Sequence, residues 1–107
     1  MENCRFRMLV EHKHGYIAQC SSCGEYSFCY KTILLKLNED HLIIFCDWLV
    51  ENTHNPNFMV DLPGKRTHVY RSPVDNLYMT FQERELEEVS DLFTEARLLM
   101  DVRRILS

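Results

Sequence analysis

With 107 residues, 46% hydrophobic and 26% charged, the chain has the composition of one globular domain and is too short for two independent cores. Its net charge of −4, with Lys and Arg scattered along it, excludes the clustered basic face that grips a nucleic-acid backbone. No apolar run approaches the ~18 residues needed to cross a bilayer, and Met1-Glu2-Asn3-Cys4-Arg5 lacks a signal-peptide pattern, so neither nucleic acid nor membrane is an expected partner. Five cysteines, an odd number, without an export pattern predict reduced thiols in a cytoplasm over a disulfide framework.

Phe6–Val10 and Tyr16–Cys20 are strand candidates joined by Glu11-His12-Lys13-His14-Gly15, a turn-like stretch ending in glycine. Pairing around a loop at His12–Gly15 sets position 11 against 16 and 7 against 20, and the same register carries Cys4 opposite Cys23. Cys4, Cys20 and Cys23 are therefore expected at one end of the hairpin. Cys20-Ser21-Ser22-Cys23-Gly24 has the spacing at which two thiolates bend back on one tetrahedral ion, zinc first among them. A glycine after the second cysteine tolerates positive φ while backbone N–H groups turn toward sulfur. One pair supplies half a tetrahedral site, so the competing reading is a hairpin turn whose cysteines pack as small hydrophobes. Thiol–disulfide exchange is the other chemistry of this spacing, but there the first cysteine opens a helix that lowers its pKa. Here Glu25-Tyr26-Ser27-Phe28-Cys29-Tyr30 follows, and its aromatic alternation reads as a strand. His12 and His14 belong to the far end of the hairpin, roughly 25 Å away at strand rise, and read as solvated loop residues. A fourth ligand would come from His41, His68 or a partner's cysteine.

Glu25–Leu37 is long enough for two strands or one bulged strand. Asn38 then reads as a helix N-cap, with Glu39 and Asp40 in the first turn where carboxylates favour the positive end of the dipole. The helix should run to about Glu51, with Leu42, Ile43, Phe45, Cys46, Leu49 and Val50 on a broad apolar face. Ile44 and Trp48, at i and i+4, fall on the other side among Asp40, Asp47 and Glu51. Either a second layer of the chain covers them or they form a protein contact, where Trp is enriched.

After the turn-forming Asn52–Asn57, Phe58–Leu62 reads as a short strand stopped by Pro63-Gly64, Lys65–Arg71 as its partner and Leu77–Phe81 as a further strand. Thr80-Phe81-Gln82-Glu83 fits a capping box, followed by a helix from about Gln82 to Ile105. Leu86, Val89, Leu92, Phe93, Ala96, Leu99 and Met100 share its main face, and the acidic run Glu83–Glu88 reads as a solvated first turn or two, not a metal site. Leu98, Val102 and Ile105 form a second stripe turned away from the first, to be sandwiched within the fold or packed on a partner.

The expected class is thus α+β: a single domain, 1–107, with an antiparallel sheet of about five to six strands and two helices packed on it, compatible with a twofold β-β-β-α arrangement. Gly15-Tyr16-Ile17-x-x-Cys20-x-x-Cys23-Gly24-x-Tyr26, followed by the aliphatic strand Ile33–Leu37 and a Glu/Asp-capped helix, resembles a family of small uncharacterised proteins from Bacteroidota-type bacteria. The final strand, and a Thr/Glu-started helix carrying leucines and Ala96, are similar to that family as well. The resemblance implies a domain of unknown function, hence a fold and no activity. No Gly-rich phosphate loop, nucleophile elbow or His-Glu-x-x-His helix is present, and no spacing supports Cys29 or Cys46 as a nucleophile paired with histidine. Two readings compete: a non-enzymatic interaction domain, homodimeric, with a structural zinc on Cys4, Cys20 and Cys23; and a thiol–disulfide redox protein using Cys20 and Cys23.

Overall fold

Four strands that follow one another in the chain build the amino-terminal half: β1 (Phe6–His12), β2 (Gly15–Cys20), β3 (Tyr26–Tyr30) and β4 (Ile33–Leu37), all antiparallel and in sheet order β1-β2-β3-β4. The structure is a computed structural model and describes residues 5–106. The stretch read as two strands or one bulged strand is two, because Lys31-Thr32 reverses the chain with Lys31 at φ 54. At the first hairpin Glu11 stands opposite Tyr16 as the loop length predicts. The register then slips between Met8 and Val10, and Phe6, not Arg7, faces Cys20. The extra residue is a β-bulge, which hydrophobic alternation does not announce when both neighbours are apolar.

Alternation along the strands separates two faces. Ile17, Phe28, Tyr30, Leu35 and Leu37 point into the core. Gly15 belongs there because a Cβ would lie 2.5 Å from the Cys29 carbonyl oxygen and 3.1 Å from both Leu92 and Tyr30 side chains, so any larger residue would push β2 off β3.

Helix α1 (Glu39–Asn52) begins where Asn38 Oδ1 accepts the His41 N–H at 2.8 Å. It buries Leu42, Phe45, Cys46 and Leu49, while Val50, expected on the same face, is 76% exposed. Helix α2 (Glu83–Leu106) buries Leu86, Val89, Leu92, Phe93, Ala96 and Met100, with Leu99 on its exposed shoulder. Ion pairs Asp47–Arg97 and Glu39–Arg104 fix the two helices antiparallel to each other.

The second half departs from the expected order. Phe58–Leu62 is no strand: a 3₁₀ turn occupies Pro56–Phe58, and what remains of pairing is a Val60 N–H to Thr67 carbonyl bond at 2.8 Å and one bridge between Leu62 and Arg66. The Asn55 side chain accepts the Asn57 N–H at 3.1 Å and starts that turn, and Pro56 sits at its first positions. β5 (His68–Arg71) and β6 (Tyr78–Phe81) then form a separate two-stranded sheet. Among the described residues the fold is α+β with two α-helices and six antiparallel strands, divided four and two, so the order is β-β-β-β-α followed by β-β-α.

The second hairpin brings Tyr70 onto α1. Its ring stacks on Phe45 with centroids 3.9 Å apart, and Trp48 lies 4.9 Å from Tyr70 and 6.2 Å from Phe81. Burial pushes the Tyr70 phenol up to about 12.

Candidate functional site

β2 ends at Cys20, whose N–H donates to the Glu25 carbonyl at 2.8 Å while its own carbonyl accepts the Gly24 N–H at 3.0 Å. These bonds close the turn that carries the cysteine pair, with Gly24 at φ 78, a conformation glycine adopts without penalty. Inside it the Cys23 N–H donates to Cys20 Sγ at 3.4 Å. An amide aimed at sulfur is what a thiolate needs in order to keep its charge. Cys20 is 1% exposed and Cys23 lies at the surface. No helix starts at either cysteine, since β3 follows, and so no helix dipole acts on the pair as it does on an exchangeable CxxC.

Beyond the β1–β2 ladder, both Ser21 N–H and Ser21 Oγ donate to the Arg5 carbonyl, at 2.8 and 3.1 Å. Cys4, the third predicted thiol, precedes Arg5 and lies outside the described residues. Among the described residues no group of three or more His, Cys, Asp or Glu side chains could hold a metal, so neither His41 nor His68 is brought to the Cys20–Cys23 pair. His41 sits in the first turn of α1. His68 is buried on β5, its Nδ1 2.9 Å from Thr67 Oγ1 and its Nε2 without a protein partner.

The expected interface residues divide. Trp48 is half-buried in the aromatic cluster on Tyr70 and Phe81: the second hairpin is the layer that covers it. Ile44 remains 58% exposed, and on α2 Leu98, Val102 and Ile105 are 62%, 41% and 83% exposed. The Leu98–Ile105 stripe is therefore not sandwiched by any described element.

Sequence reading missed Glu85. It lies in the acidic run taken as solvated, yet it is 6% exposed. Its carboxylate pairs with Lys31 at 2.6 Å and with Arg66, and Oε1 accepts the Gln82 N–H at 2.9 Å. Burial alone would raise this carboxyl; the Gln82 amide, Lys31 and Arg66 together hold it below the ordinary glutamate value. The signal was present as Gln82-x-x-Glu85, the reach-back half of a capping box, two residues after the box expected at Thr80–Glu83. Neighbouring Glu88 accepts from Tyr30 Oη at 2.8 Å, and burial, followed by that bond, raises the Tyr30 phenol. His12 stays at the surface, as the loop reading expects, with its Nε2 2.6 Å from Glu95 Oε2. Cys46 is core as expected, its thiol pushed up by burial and 3.9 Å from the Phe93 carbonyl.

No helix of the described residues is long and apolar enough to cross a membrane. Neither a curated protein nor a solved structure matches the sequence. The model of the Family of unknown function (DUF6686) matches it over residues 1–105, nearly the whole chain with the cysteine turn included, and the chain belongs to that family.

Proposed function

We propose that the chain is a non-enzymatic interaction domain, active as a homodimer among reduced thiols as in a cytoplasm, whose hairpin end is tied by one structural zinc. Cys20 and Cys23 hold the metal, and Cys4 supplies a third thiolate. The observation that carries this reading is the Cys23 N–H directed at Cys20 Sγ within a turn closed by Gly24. The hydrogen bonds from Ser21 to Arg5 favour Cys4, one residue earlier in the chain, as the further ligand. A site of this type ties together a short strand end that buries little apolar surface of its own.

The test is metal analysis of protein purified without added zinc. One zinc per chain, lost in Cys20→Ser, is expected; protein that carries no metal and does not take up zinc would end the reading. The thiol–disulfide alternative requires one cysteine of the metal-free protein to be alkylated far below the usual thiol pKa of about 8.5.

The dimer reading is supported by the apolar side chains of Ile44, Leu98, Val102 and Ile105, which no described element covers. Sedimentation at micromolar concentration is expected to give a dimer that Leu98→Glu together with Ile105→Glu converts to a monomer. Monomeric wild-type protein would remove it.

A further inference from the structure

Tyr26 opens β3 and is 5% exposed. Its hydroxyl makes no hydrogen bond to any described residue, yet it is not sealed from solvent as the unpaired Ser27 hydroxyl is. The phenol lines a cavity of about 220 Å³ between the sheet and the last turns of α2, where Gln19, Glu39, Arg103 and Arg104 are the other polar walls. Burial raises the phenol, and the Arg103 and Arg104 charges pull the other way. Both cations therefore act on this oxygen, and it keeps a proton to donate.

The chain as a whole carries −4, but this cavity is cationic. Glu39 pairs with Arg104. Arg103 meets only a neutral acceptor: its Nη1 donates to Gln19 Oε1 at 3.0 Å, and Gln19 Nε2 donates in turn to the Gly24 carbonyl at 3.3 Å. Arg7 stands opposite Gln19 across the β1–β2 ladder and so belongs to the same face of the sheet. Among the described residues neither Arg7 nor Arg103 has a carboxylate partner. Cations in the last turn of a helix complement its dipole, which accounts for arginines at the end of α2. It does not account for a buried phenol left without an acceptor beside them, since Phe would fill that space at no polar cost.

We propose that this cavity binds a phosphate group, free or as a small monoester, held by the Arg103 and Arg104 guanidiniums and by a hydrogen bond donated from Tyr26 Oη, with Arg7 adding charge from β1. The uncompensated guanidiniums select an anion. The donor set selects phosphate over carboxylate. A carboxylate presents two coplanar oxygens, which a single arginine fork matches, whereas the three free oxygens of a phosphate ester meet Arg103, Arg104 and the phenol together. The cavity is smaller than the ~300–1,000 Å³ of sites for larger ligands and cofactors, which limits the ligand to the phosphate and a few further atoms.

Inorganic phosphate titrated into the isotopically labelled full chain, at fixed pH and ionic strength, tests the proposal by amide and arginine Nε–H chemical shifts. Saturable shifts at Gln19, Tyr26 and Arg103 are expected below about 10 mM, with acetate binding about tenfold more weakly and chloride producing none. Arg103→Gln should weaken phosphate about tenfold, and Tyr26→Phe about fivefold without lowering the melting temperature. Glycerol 3-phosphate decides the source: tighter binding than inorganic phosphate assigns the monoester, equal or weaker binding the free ion. The proposal is overturned by the absence of saturable shifts, by shifts centred away from this cavity, by acetate or chloride matching phosphate, or by unchanged affinity in folded Arg103→Gln or folded Tyr26→Phe.

Discussion

Glu85→Ala is expected to lower the unfolding free energy by about 2 kcal/mol, roughly 1 kcal/mol for the lost cap on the Gln82 N–H and the rest for the two ion pairs. The loss stays below that of a fully buried pair because the Lys31 and Arg66 side chains are 47% and 34% exposed and regain water once the carboxylate is gone. The effect stays large because one carboxylate serves three segments: the β3–β4 turn through Lys31, the loop before β5 through Arg66, and the start of α2 through the Gln82 N–H. Arg66 also donates to the Thr80 carbonyl at 3.0 Å, and the Gln82 side chain to the Gly64 carbonyl at 3.0 Å, so the loop and the helix start loosen together. For a domain of this size the loss corresponds to a melting temperature lower by about 10 °C.

The pH dependence has a definite sign. The folded carboxyl titrates below its unfolded value, about 4.3 for glutamate, so its contribution is complete above that value and is lost as pH falls through the folded value. Thermal melts of wild type and Glu85→Gln should therefore differ most at neutral pH and converge in acid. A gap unchanged between neutral pH and about pH 3 would show that the carboxylate charge does not matter here.

The elements legible in the sequence were those fixed by local chemistry. Asn38 announced the start of α1, and strand alternation announced β2, β3 and β6, since capping and period-two burial need only neighbouring residues. Phe58–Leu62 failed because a hydrophobic run next to Pro56 and Pro63-Gly64 can make two isolated backbone bonds as readily as a strand, and only the position of Thr67 and Arg66 decides between them. For Trp48 the sequence leaves two readings open, a covering layer of the same chain or a protein contact. Its place on the helical wheel is polar, but the β5–β6 hairpin arrives from elsewhere in the chain and sets Tyr70 against it. The turn at Cys20–Gly24 was readable down to its glycine. The bulge between Met8 and Val10 was not, and it moved Phe6 into the place expected of Arg7. Glu85 was hidden because its two cations lie 54 and 19 residues away in the sequence, whereas acidic runs at helix starts are usually solvated.

Cys23→Ala is expected to destabilise the zinc-loaded protein by several kcal/mol and to leave the metal-free protein within about 0.5 kcal/mol of its starting stability. The two cysteines differ in burial, and that difference makes the comparison decisive. Cys20 is 1% exposed at the end of β2, so Cys20→Ala removes packed atoms and costs roughly 1 kcal/mol with or without metal. Cys23 lies at the surface of its turn, where trimming a side chain has little effect on packing. If both cysteines hold one ion, the two variants become nearly equivalent in the presence of zinc, because losing either thiolate opens the same coordination shell. If the turn is only a turn, Cys20→Ala is destabilising, Cys23→Ala is silent, and zinc changes neither. Denaturant melts of both variants, with zinc and with a chelator, separate the two cases, and a silent Cys23→Ala in the presence of zinc would dismiss the metal.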